Sequence, residues 1–170
     1  FNDATINPLT EQVDVVVRFG PVGDSPQLVA RRLSRQQRLL CASPAYLAVH
    51  GVPATIDDLA RHRCIVGCLD GPPTQWELND GERMVQMSPP ATHRFNDGEA
   101  MMEAAVAGFG ICQMPSSLVR QHVEMGRLVP VLASHCRSAV DLHVLWHHKA
   151  TLSLRVPHIV APLLARSAAG

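Results

Sequence analysis

Apolar positions along the chain switch between two periods, and the switches mark out alternating helices and strands. Ile6, Leu9 and Val13 recur at helical spacing, which predicts a short helix over 5–13. Asp14-Val15-Val16-Val17-Arg18-Phe19-Gly20 follows as an unbroken β-branched run, the pattern of a strand covered on both faces. Gly20 to Pro26 carries loop residues, and two extended pieces are expected at 28–33 and 38–42. Ser43-Pro44 is a helix entry, with Ser as N-cap and Pro in the first turn, and Gly51 closes that helix. A second short helix is expected at 56–61, capped by Thr55, with Asp57 and Asp58 favouring its positive end. Residues 64–69 read as a strand, and 76–78 and 83–87 as the arms of a hairpin around Asn79-Asp80-Gly81. Further on, Ser116 is expected to cap a helix ending at Gly126, with strands at 128–132 and 142–147. A last helix near 156–166 contains Pro162 and should bend there. The pattern is α/β, with a largely parallel sheet and a small hairpin.

The segment from Phe95 to Pro115 is the most informative. Asn96 and Glu99 have capping-box spacing. Ala100, Met101, Ala104, Ala105 and Gly108 form a face of mostly small residues that lets a helix lie close to a sheet, Gly108 or Gly110 stops it, and Ile111 to Met114 reads as a buried strand. In open α/β sheets ligands sit beyond the carboxyl ends of strands, where helix N-termini present unpaired N–H groups. Asn96, Phe19-Gly20 and Pro115-Ser116 all occupy such positions. Asn96 has two readings at this point, a ligand contact or only the cap of its helix.

Composition narrows the function. The 170 residues are 46% hydrophobic and 18% charged, with 15 Lys and Arg against 15 Asp and Glu, giving a formal net charge of zero. That length buries a core, and the balance is unlike that of a free-standing nucleic-acid binder. No apolar run reaches the roughly 18 residues of a membrane span. The five cysteines, an odd number among apolar neighbours, read as buried free thiols in a reducing cytoplasm rather than a disulfide framework. His143, His147 and His148 match no standard zinc spacing, and Cys64 and Cys68 share a strand face too far apart for an easy disulfide. Ser116 and Ser117 lie in no nucleophile elbow, and no paired-acid or phosphate-loop motif is present, so neither catalytic residues nor a metal or other cofactor are expected.

Four pieces, in order and at consistent spacing across nearly the whole chain, resemble the effector-binding domain of LysR-type transcriptional regulators. They are 13–20 (Val-Asp-Val-Val-Val-Arg-Phe-Gly); 40–47 (Leu-Cys-Ala-Ser-Pro-Ala-Tyr-Leu) with 58–62; Phe95-Asn96-Asp97 running on to 107–111 and Pro115; and 126–132. The resemblance implies two Rossmann-like lobes of the type 2 periplasmic-binding-protein kind, with a small effector in the cleft. Lobe I would be 1–65 plus 131–170, and lobe II 66–130. By position it implies effector contacts at Arg18, Phe19, Gly20, Ser43, Asn96, Met114, Pro115 and Ser116: hydrogen bonds from Ser43 and Asn96, apolar walls from Phe19 and Met114, and Arg18 either toward an anionic effector or in a structural ion pair. It also implies a cytoplasmic homodimer or homotetramer whose DNA-binding winged helix-turn-helix lies outside this sequence. The family's first strand and first helix are likewise expected to be missing from it. A transport-associated solute-binding protein shares the fold and is the alternative.

Overall fold

The computed structural model describes residues 13–23, 25–68, 71–149 and 155–167. The predicted helix over 5–13 lies outside them, apart from Val13. The described residues form two compact units, one of residues 37–139 and one of 13–36 with 140–167. Segments 37–65 and 131–139, placed in lobe I by the resemblance, fold with 66–130 instead.

The larger unit is built on strands β2 (Leu28–Ala42, of which 37–42 belong here), β3 (Cys64–Gly67), β6 (Ala91–Phe95), β7 (Ile111–Pro115) and β8 (Val129–Val131). β3 lies between β6 and β7 and is parallel to both, whereas β2 runs antiparallel to β7 and to β8. The sheet is therefore mixed rather than largely parallel. The two extended pieces expected at 28–33 and 38–42 are one fifteen-residue strand. No turn residue interrupts Ser34 to Gln37, so the polar stretch crosses between units without leaving the extended conformation.

Alternation along these strands feeds two cores. One face holds Leu40, Cys64, Val66 and Ile111 against α1 (Pro44–His50), a 3-10 turn at Asp57–Arg61, and the hairpin of β4 (Trp76–Asn79) and β5 (Met84–Met87), whose Trp76 and Leu78 are buried. The other holds Cys41, Ile65, Cys112 and Met114 against α2 (Gly98–Val106) and α3 (Ser116–Glu124). Polar contacts fix the hairpin as well. Arg38 pairs with the Glu77 carboxylate at 2.8 Å, the Gln113 amide donates to the Glu77 carbonyl at 3.0 Å, and the His135 ring meets the Asn79 carbonyl.

Local signals for α1 hold as expected: the Ser43 hydroxyl accepts from the Tyr46 N–H at 3.2 Å and Gly51 closes the helix at φ 82°. At the next element, Ile56 takes the cap position and the Asp58 carboxylate turns back to accept from the Ala54 and Thr55 N–H groups. A side chain folded into its own turn gives a 3-10 segment in place of the expected helix.

The smaller unit pairs β1 (Val15–Phe19) antiparallel with β9 (Ala139–His147), whose Ala139 belongs to the other unit, and includes the first half of β2 and α4 (Arg155–Ser167). Leu33, Val144, Trp146, Val156 and Val160 form its core, and α4 is assigned as helix through Pro162.

Candidate functional site

In the larger unit the carboxyl ends of β6, β3 and β7 fall along one sheet edge, because the three strands are parallel and Gly67 is in register with Phe95. The Cys68 N–H donates to the Phe95 carbonyl at 2.7 Å and the Thr74 N–H to the Gly67 carbonyl at 2.8 Å, which locks this edge. Asn96, Pro115 and Ser116 all lie on it. Gly67 is the small residue there: a Cβ would approach the Thr74 hydroxyl to 3.3 Å and the Met101 sulfur to 3.7 Å. Nothing in the alternation pattern marked Gly67 or Thr74, and only the register of β3 against β6 brings them to the edge.

The expected capping box does not form. Asp97, one residue after Asn96, caps α2, its carboxylate accepting from the Ala100 N–H at 2.7 Å. Asn96 is exposed and its side chain makes no hydrogen bond among the described residues. Asp97 and Glu99 place two carboxylates at the positive end of α2. An anion there would meet like charge, so this helix start suits a neutral hydrogen-bonding group rather than a carboxylate. α3 differs: Pro115 stands at its N-cap and Ser116 is its first residue, not its cap, with no acid in its first turn.

Two expected contacts sit elsewhere in this unit. β2 runs antiparallel to β7, so Ser43, just past Ala42, is at the opposite end of the sheet from Pro115. Ser43 is 2% exposed, and its hydroxyl is committed to Tyr46 and lies beside Gly108. Met114 is 4% exposed and packs in the α2–α3 core. A hydroxyl and a thioether in these places do structural work.

In the smaller unit Arg18, Phe19 and Gly20 end β1. Arg18 is half-buried, in register with His143, and has no acid partner among the described residues. Gly20 adopts φ 94°, its N–H donates to the Asp141 carbonyl at 3.0 Å, and its own carbonyl receives His143 Nδ1 at 3.1 Å. Phe19 is half-buried opposite Leu142.

Four of the five thiols are buried. Burial pushes Cys41 and Cys64 up to about 12, and Cys112 and Cys136 also upward, so these groups stay protonated and inert. Among the described residues no three His, Cys, Asp or Glu groups converge as metal ligands, and no helix is long and apolar enough to cross a membrane.

Comparison with known proteins agrees with this architecture. The sequence model described as LysR substrate binding domain matches residues 2–168. An HTH-type transcriptional repressor of Pseudomonas aeruginosa is 35% identical over 157 residues, covering 91% of this chain and 49% of the repressor. The transcriptional regulator CrgA of Neisseria meningitidis serogroup C is 32% identical over 133 residues, 78% of this chain and 44% of CrgA. The chain spans about half the length of the curated relatives it matches. Among solved structures, the regulatory domain of CrgA superposes with a TM-score of 0.83 at 26% identity, covering 95% of this chain and 78% of that domain. The full-length virulence activator AphB of Vibrio cholerae does so with a TM-score of 0.76, covering 96% of this chain and 54% of AphB.

Proposed function

The chain belongs to the LysR substrate-binding domain family, and from that premise we propose that it is the effector-sensing part of a cytoplasmic transcriptional regulator. A small molecule binds at the carboxyl ends of the strands and shifts the conformational equilibrium of an oligomer, a homodimer or homotetramer. The oligomer in turn sets the behaviour of a DNA-binding segment outside these residues. The regulator names of the relatives favour this reading over solute transport and over catalysis.

The observation that carries the reading is the edge at Asn96. Phe95 and Gly67 are locked in register, while the next residue presents an exposed amide with no hydrogen-bond partner among the described residues. Pro115 and the acid-free first turn of α3 share that edge. In the smaller unit, by itself, Arg18, Phe19 and Gly20 are the contacts that the resemblance implies. Of the eight contacts the resemblance implied, Ser43 and Met114 have the weaker claim, given their burial and partners.

Replacing Asn96 with Ala tests it. Asp97 supplies the cap, so the substitution leaves thermal stability within about 0.5 kcal/mol of the parent. It weakens effector binding by about 1–3 kcal/mol, measured by calorimetry with an effector identified by thermal-shift screening. A lowered melting temperature with unchanged affinity refutes the assignment.

A further inference from the structure

The smaller unit carries a group of charges that the packing of the fold leaves incompletely matched. Pairing in register puts Arg18 of β1 beside His143 of β9 on one sheet face, and alternation puts Asp141 on that same face two residues away. Leu142, Val144 and Trp146 point the other way, into the core under α4. The Arg32 guanidinium on β2 reaches Asp141 only at 3.8 Å, through one carboxylate oxygen. The second oxygen, Oδ1, is buried with no hydrogen-bond partner among the described residues. Arg18, half-buried, has no acid partner among them. Opposite Asp141 stands Gly20, where an added Cβ would meet nothing within 4 Å.

A half-buried guanidinium without an anion and a buried carboxylate oxygen without a donor are both costly on their own. A single ligand bearing both complements satisfies both. We infer that Arg18, His143 and Asp141, opening onto the space at Gly20, bind a small organic acid with a hydrogen-bond donor next to its carboxylate, as in a 2-hydroxy or 2-amino acid. The carboxylate pairs with Arg18 in the two-pronged geometry that guanidinium favours, and the neighbouring hydroxyl or amino group donates to Asp141 Oδ1. This rests on the sensor reading above and names the ligand class for this part of it.

His143 has a positioning part in this site. Its Nδ1–H donates to the Gly20 carbonyl at 3.1 Å, which fixes the ring beside Arg18 and leaves Nε2 as the ring nitrogen that can face a ligand.

Isothermal calorimetry with lactate against propionate, and with serine against 3-hydroxypropionate, tests the inference on the unmodified chain. The 2-hydroxy and 2-amino acids are expected to bind about tenfold or more tightly than their partners lacking that group. In Asp141→Ala that preference disappears. In Arg18→Ala binding of all four acids falls by about tenfold or more while the fold, checked by circular dichroism, persists. Equal binding of each pair by the parent chain overturns the inference whether or not the variants fold. If none of the four acids binds while a thermal-shift screen still finds a stabilising neutral compound, the ligand class is wrong and the sensor reading stands. If no small molecule stabilises the chain, both fail.

Discussion

Gly110 offers a sharp quantitative test of the packing around the Gly108-Phe109-Gly110 turn. It sits at φ 159°, and a Cβ built there lies 2.4 Å from the Arg63 carbonyl oxygen and 2.9 Å from its carbon. Normal contact is about 3.5–4 Å, so the overlap exceeds about 1 Å. The clashing atoms are backbone and cannot rotate away. The same carbonyl accepts the Ile111 N–H at 2.9 Å, the bond that begins the pairing of β7 with β3. Relief in Gly110→Ala requires β7 to slide off β3 at its start, at about 1–3 kcal/mol for the overpacking and about 1 kcal/mol for the hydrogen bond. Strain at this φ adds about 1 kcal/mol, for a total of about 3–5 kcal/mol. Gly108→Ala is the internal control. Its φ of 86° is strained for any side chain, but its Cβ meets only the Ser43 hydroxyl, at 3.5 Å. About 1–2 kcal/mol is expected there. Urea unfolding at 25 °C measures both. Equal losses for the two variants would refute the steric reasoning.

Three further outcomes follow from the same geometry. Ser43→Ala removes the α1 cap and lowers stability by about 1 kcal/mol in urea unfolding, with no change in effector affinity, because the hydroxyl is buried and committed to Tyr46. Acid unfolding should begin near the ordinary histidine range. His62 is held below 6.5, chiefly by burial and then by His50, while the Tyr46 hydroxyl accepts from the Arg63 N–H and is left to donate to His62 Nδ1. As pH falls through 6.5 the unfolded chain therefore takes up the proton first, and stability drops with it. A urea-midpoint profile flat from about pH 7 to 5 would contradict that sign. In the native protein a thiol reagent should modify Cys68 first, the four buried cysteines reacting only after denaturant is added. Rapid native labelling of Cys112 would contradict its placement in the core.

The sequence spoke most clearly where a local rule and the tertiary context agree. Ser43-Pro44 and Gly51 bound α1 because cap, first turn and stop need only neighbouring residues. The Asp-Gly hairpin is of the same kind. It spoke less clearly where two adjacent residues compete for one role. Asn96 and Asp97 both qualify as caps, and the carboxylate takes the position, which frees the amide. Strand direction was not legible, since a buried apolar run reads alike in parallel and antiparallel pairing, and β2 turned out antiparallel to β7. That direction is what moves Ser43 to the far end of the sheet. Asp141 and His143 were invisible as neighbours of Arg18, because only the register of β1 on β9 brings together residues more than a hundred positions apart. The His143 contact with Gly20 spans 123 positions.

The central claim is that this chain senses a small molecule, and a thermal-shift screen of small carboxylates, amino acids and aromatic acids tests it most directly. The account predicts that members of one chemical class raise the melting temperature in a saturable way, by several degrees at a hundredfold excess over Kd, about 2.7 kcal/mol of linkage. The response should fall when Asn96 is replaced. A melting temperature unmoved by every compound, or stabilisation that survives that replacement unchanged, would contradict it.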